Sequence, residues 1–193
     1  QQVEIYKGSN GAHFGPSAIA GAINFITDID YTNTYSVSGF NFKNNSFDTN
    51  YTKINDNNWH LNFKGSAVQS ETDSAIAKGT EDDGARNFQI NLNAIKWINE
   101  NLKFKSTLYS RNTKADYDAS ASNEKGYVAD NTMYAFQSGL ERKIKNQDDN
   151  LKFHYHKYDR NYTDAGYLDE YYSEALVIKG ERSVQANNNF SYG

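Results

Sequence analysis

From about Tyr35 onward, apolar and polar residues alternate along the chain in one segment after another. The clearest run sets Trp59, Leu61, Phe63, Gly65 and Ala67 against His60, Asn62, Lys64 and Ser66. Phe88, Ile90, Leu92 and Ala94 then oppose Asn87, Gln89, Asn91 and Asn93. The same rhythm returns at Leu102, Phe104, Ser106, Leu108, at Tyr134, Phe136, Ser138, Leu140, at Leu151, Phe153, Tyr155, and at Val184, Ala186, Asn188, Phe190. Successive side chains of a strand point to opposite faces, so a period of two predicts half-buried β-strands. With two weaker segments near 35–42 and 46–54, about eight strands are expected, each near the ~9–11 residues that a tilted strand needs to cross a bilayer.

The connections between these segments predict a topology. Those at 43–45, 55–58, 99–101 and 145–148 are short, whereas 69–86, 113–131 and 160–181 are long. In an up-and-down meander alternate connections emerge on opposite ends, so all the long ones share an end and only the first connection there is short. Short turns at one end and long loops at the other characterise outer-membrane barrels. A soluble β-sandwich, for example a sugar-binding one, offers no reason for such alternation.

Composition sharpens this expectation. Aromatic residues make up 15% of the 193, with 15 Tyr and 11 Phe, yet the hydrophobic share is only 37% and the mean hydropathy is −0.86. That share is thin for a soluble core, while disordered chains are poor in aromatics. Strands with one side in lipid and the other in a wet lumen reconcile the two. No apolar run approaches the ~20 residues of a membrane helix, and no charged-then-apolar leader opens the chain. Zero cysteine removes disulfides and thiolate metal sites. A net charge of −4 argues against nucleic acid as a partner.

Residues 1–27 differ from the rest. Val3, Glu4, Lys7, Gly8, Ala12, Gly15, Ala18, Ile19, Gly21, Ile23, Asn24, Ile26 and Thr27 occur in order through a Gly-rich stretch. Gly8, Gly11, Gly15 and Gly21 permit positive φ or close backbone approach, and no Lys-Ser/Thr follows to make a phosphate loop. The stretch resembles the end of the plug in TonB-dependent outer-membrane receptors, with Ser9, Phe14 and Ala20 departing from the usual residues. The resemblance implies an all-β fold: residues 1–30 as the C-terminal part of a plug, and residues 31–193 as the N-terminal part of a transmembrane antiparallel β-barrel, about eight of about 22 strands. It also implies that the chain is a piece of a longer receptor, lacking its N-terminal TonB-contacting segment and its later strands. The function implied is active uptake, driven through the TonB complex, of a large scarce nutrient across the bacterial outer membrane, by a receptor that is monomeric when complete. Glu4 and Lys7 are candidates for ion pairs between plug and wall, or for a solvated charge pair.

The predicted loops carry a second pattern: Asp73, then Glu81, Asp82, Asp83, Gly84, and further on Asp116, Tyr117, Asp118 and Asp130. Clustered carboxylates beside backbone oxygens suit Ca²⁺, which takes six to eight hard oxygen ligands. The spacing resembles the cobalamin-receptor branch of the family. That resemblance implies Asp73, Glu81, Asp83, Tyr117 (main chain), Asp118 and Asp130 as calcium ligands, with Glu81 standing where the branch has aspartate. Solvated acidic loops are the alternative. Cobalamin is then the expected ligand, with an iron chelate as the runner-up. A small eight-stranded structural barrel is the expectation from a different class.

Tyr167, Tyr171 and Tyr172 lie in the third predicted loop, where they can contact a large ligand or belong to an interfacial girdle. His154 and His156 share a face and either ligate a metal or simply line one side of the wall. No nucleophile, base and acid arrangement is legible, so no catalysis is expected.

Overall fold

The computed structural model describes residues 2–8, 20–26, 32–41, 43–55, 58–73, 82–117, 127–164, 167–187 and 190–192. The chain divides into two compact units, Gln1–Tyr31 and Thr32–Gly193.

In the first unit, β1 (Gln2–Lys7) pairs antiparallel with β2 (Gly21–Ile26), from Gln2 opposite Ile26 to Lys7 opposite Gly21. Glycine is required where the hairpin ends. Gly8 has φ +84°, and Gly21 has φ +151° with any Cβ only 2.5 Å from the Tyr6 carbonyl oxygen. Val3, Ile5 and Ile23 share one face, and each is more than half exposed. A two-stranded hairpin alone is marginal in water.

The second unit is a single antiparallel meander with no helix among the described residues. Its strands are β3 (Thr34–Asn41), β4 (Asn44–Asn55), β5 (Trp59–Asp73), β6 (Asp82–Asn99), β7 (Leu102–Asp116), β8 (Val128–Ile144), β9 (Gln147–Asp164), β10 (Tyr167–Asn187) and the short β11 (Phe190–Tyr192). Each strand pairs only with its neighbours in sequence, and among the described residues no ladder joins β3 to β10 or β11. The sheet is therefore open.

Seven of the eight expected strands are present, and most run further than their alternating cores; the eighth, expected over Val184 to Phe190, is instead divided between the end of β10 and β11, which pair with each other. The largest difference is at 160–181, read from the sequence as a long loop. There β9 continues to Asp164 and β10 starts at Tyr167, and the two pair without interruption from Tyr167 opposite Asp164 to Val184 opposite Gln147. Alternation of apolar with polar residues stops near Lys157 because both sides of the hairpin are polar beyond that point, and periodicity of hydrophobicity cannot register such a strand. The connections at 56–58, 100–101, 145–146 and 188–189 are tight. Those at 74–81 and 117–127 are the long ones and lie at the opposite end. Asn58 and Lys145 take up positive φ, +60° and +46°, at two of the tight turns.

Candidate functional site

Register sorts the side chains of the meander into two faces. One ladder runs Tyr51, Phe63, Leu92, Leu108, Phe136, Tyr155, Leu176 across seven strands. The ladder beside it, on the other face, runs Thr52, Asn62, Asn93, Thr107, Gln137, His154, Val177. The apolar face is open: Val37 is 79% exposed, Phe88 51%, Leu92 43% and Ile178 69%. Burial is inverted relative to a soluble sheet, because the only buried residues among those described are asparagines, Asn62 at 3% and Asn50 at 8%.

Those asparagines are hydrogen-bonded into a network, as buried amides must be. Asn62 Nδ2 donates to Asn50 Oδ1 at 2.7 Å and to Thr52 Oγ1 at 2.9 Å. Asn93 Nδ2 donates to Asn62 Oδ1 at 3.2 Å, and Thr107 Oγ1 donates to Asn93 Oδ1 at 2.9 Å. The network crosses four strands, β4 to β7. Neutral amides and hydroxyls dominate it, a chemistry suited to water or to ligand hydroxyl groups.

The apolar stripe does not follow the ladders. On β4 it lies between Asn45 and Lys53, centred on Thr49. The ladder leaving Thr49 passes Gly65, Ile90, Ser110 and Tyr134 and ends at the charged Lys157 and Glu174. On β10 the stripe is instead centred on Ile178, between Glu174 and Arg182. It has moved four residues in six strands. With ~3.4 Å per residue and ~4.8 Å between strands, this inclines the strands by about 25° to the normal of the stripe.

Towards the long-loop end, the polar face turns aromatic. The Tyr117 ring meets those of Tyr127 and Tyr162 edge-on at 5.6 and 6.0 Å, and Tyr162 meets Tyr171 at 6.0 Å. Partial desolvation and then the charges of Asp164, Tyr162 and Asp169 raise the Tyr117 pKa, so its hydroxyl stays a donor. Arg160 lies between the rings of Tyr158 and Tyr162, 5.4 and 5.5 Å from their centroids. Its Nε donates to Asn131 Oδ1 and Tyr158 Oη, both at 2.9 Å. Reading by residue type passed over Arg160, Tyr127 and Asn131. The spacing Tyr158, Arg160, Tyr162 was the available signal, since alternate residues of one strand share a face.

The residues singled out from the sequence are placed as follows. Of the calcium set, Glu81 and Asp118 lie outside the described residues, and so does Gly15 of the Gly-rich stretch. Asp73 pairs with Asp82 at the mouth of the β5–β6 hairpin, while Asp83 lies opposite Thr72. The Asp73 side chain lies outside those described, and alternation puts Asp130 on the apolar side of the sheet, beyond the stripe, and Asp83 and Tyr117 on the polar side. Asp130 sits opposite Lys114, and its Oδ1 accepts from Asn112 Nδ2 at 3.3 Å. The Tyr117 N–H donates to the Tyr127 carbonyl at 3.1 Å. Among the described residues no three His, Asp or Glu side chains converge as a metal would need. Tyr171 belongs to the polar-face cluster and Tyr167 shares that face at the hairpin tip. Tyr172 lies on the other face, where it donates to Glu174 and holds Lys157 over its ring. His154 and His156 face the polar side with ring centroids 5.5 Å apart. In the first unit, Glu4 pairs with Asn24 and accepts a hydrogen bond of 2.7 Å from Tyr6, and Lys7 lies on the opposite face.

No model of a known protein family matches the chain, and no curated protein does.

Proposed function

We propose that the meander is part of the wall of a transmembrane β-barrel in a bacterial outer membrane, and that the β1–β2 hairpin is part of a plug, in a receptor that takes up a large scarce nutrient. The observation that carries this reading is the exposed apolar face opposed to a hydrogen-bonded face of asparagines. A soluble sheet covers its apolar side with another layer, and an uncovered stripe of this breadth marks an interaction surface. Lipid is the occupant that accepts a continuous stripe crossing the seven strands β4 to β10. The drift of that stripe adds support, since strands tilt in any wall that closes, typically by about 35–45°. Trp59, with Lys96 held 5.0 Å from its ring centroid, sits at the tight-turn border of the stripe, as interfacial anchors do.

The nutrient reading comes from the sequence resemblance. Cobalamin is the ligand it favours, with Ca²⁺ ordering the 74–81 and 117–127 loops, and an iron chelate is the alternative. Energy comes from the TonB complex through a segment N-terminal to the hairpin. The open order of the ladders favours this reading over a closed eight-stranded anchor, in which β3 would pair with the last long strand.

The test is uptake by cells carrying the complete receptor. Labelled cobalamin should accumulate, stop when a protonophore collapses the proton gradient, and bind more weakly after calcium is chelated. Recovery of the protein in the aqueous fraction sinks the membrane reading. If Asp83→Ala combined with Asp118→Ala leaves affinity and its calcium dependence unchanged, the calcium assignment falls.

A further inference from the structure

Arg160 has a counterpart. Arg111 on β7 lies on the same polar face, and its Nε donates to Asn87 Oδ1 on the preceding strand at 3.1 Å. Arg160 on β9 does the same to Asn131 on β8 at 2.9 Å. In both, an asparagine takes up Nε, which leaves the terminal N–H groups of the fork for another acceptor. Among the described residues neither arginine meets a carboxylate within ion-pair distance, although other basic side chains of the sheet do, as Arg142 and Arg182 do with Asp149. The two strands are separated by one other, and the residues are offset by one same-face position, which puts the α-carbons roughly 12 Å apart. Both arms lean towards the preceding strand, so a solute that meets both forks spans about two strand spacings, roughly 10 Å. The rings of Tyr158 and Tyr162 brace Arg160, which lowers the entropy lost when it grips a partner.

We infer that Arg111 and Arg160 form a built site for an oxyanion, a carboxylate or a phosphate, carried on a ring-bearing solute whose body lies against the tyrosines. A planar fork with free N–H groups matches both anions, and the tyrosine faces and hydroxyls suit a sugar or other ring beside it. This inference rests on the receptor reading for its accessible polar face and names the chemistry that the ligand must present there.

The experiment is calorimetric titration of the complete receptor in detergent with methyl glucuronide, glucose 6-phosphate and glucose. At least one anionic sugar should bind about tenfold or more tighter than glucose, the loss expected for one charged hydrogen-bonding contact, and the preference should shrink as salt is raised. The stronger of the two anions names the source. Arg160→Gln and Arg111→Gln should each lower that affinity about tenfold, and Arg160→Lys should fail to restore it because the fork is lost. Lys96→Gln, on the opposite face, should change nothing. Should Arg160→Gln not fold, the Arg111→Gln and Arg160→Lys comparisons decide alone. Equal affinity for glucose and both anions, or arginine variants that bind as the parent does, overturns the inference. A membrane-inserted receptor that ignores both anions fails this proposal alone, whereas an aqueous protein that binds them fails only the membrane reading.

Discussion

Asn62 is the most buried of the described residues, and hydrogen bonds tie it to three polar side chains. It is 3% exposed and joins Asn50, Thr52 and Asn93. Asn62→Ala removes the donor to two of these and the acceptor of the third, so the loss should be about 1–3 kcal/mol in denaturant unfolding. Asn62→Asp would test the same point, since a carboxylate keeps the acceptor and loses the donor. Gly139 is a second sensitive position: a Cβ there stands 2.8 Å from the Leu151 carbonyl oxygen, so Gly139→Ala must push β8 and β9 apart and lower the unfolding midpoint. At the tight-turn end, Asp149 accepts from Arg182 Nε at 2.7 Å, and from Arg142 Nε and Gln147. These contacts, Arg182 first, hold its carboxyl well below the usual carboxylate range. A depressed carboxyl stabilises the fold fully above its unfolded pKa, about 3.9, and loses that contribution as pH falls below it. The stability difference between the parent and Asp149→Asn should therefore be constant near neutrality and shrink in thermal melts taken progressively below pH 4. None of these pairings was legible in the sequence, because each depends on which residue of the neighbouring strand lies opposite.

Strands and their order were legible because one face of each is apolar. β5, β6 and β8 appear where Trp59 to Ala67, Phe88 to Ala94 and Tyr134 to Leu140 alternate. What extends past the stripe was hidden, most of all the Tyr167 half of the β9–β10 hairpin, where Tyr, Asp and Glu occupy both faces. The Tyr-rich flank read as loop because it has no apolar partner to set the period. Of the candidate site, Tyr171 and Tyr117 were visible as residue types, whereas the Tyr162 ring that meets both of them depends on register. The extension has a consequence for insertions. A short epitope inserted at 74–81 should leave folding intact and be accessible to antibody on whole cells. The same insertion at 100–101 should abolish assembly, because that turn joins paired strands directly and Lys143 N–H bonds the Asn101 carbonyl at 2.8 Å.

For the molecule as a whole, the two faces make opposite demands on a charge. Leu92→Arg sets a guanidinium in the middle of the apolar ladder and should cost about 2–4 kcal/mol in refolding into lipid vesicles. Ser66→Arg puts the same group on the polar face, opposite Asp48, and should be tolerated. Equal effects of the two would contradict a lipid-facing stripe. The order of the ladders also bears on how such a sheet forms. Every pairing links a strand to the next one along the chain, most through turns of a few residues, so the entropy lost in closing each loop is small. Long-range pairing is what slows folding, and among the described residues the meander contains none. Assembly of residues 32–193 should then run as a succession of fast hairpin additions, each new strand docking on the one made just before it.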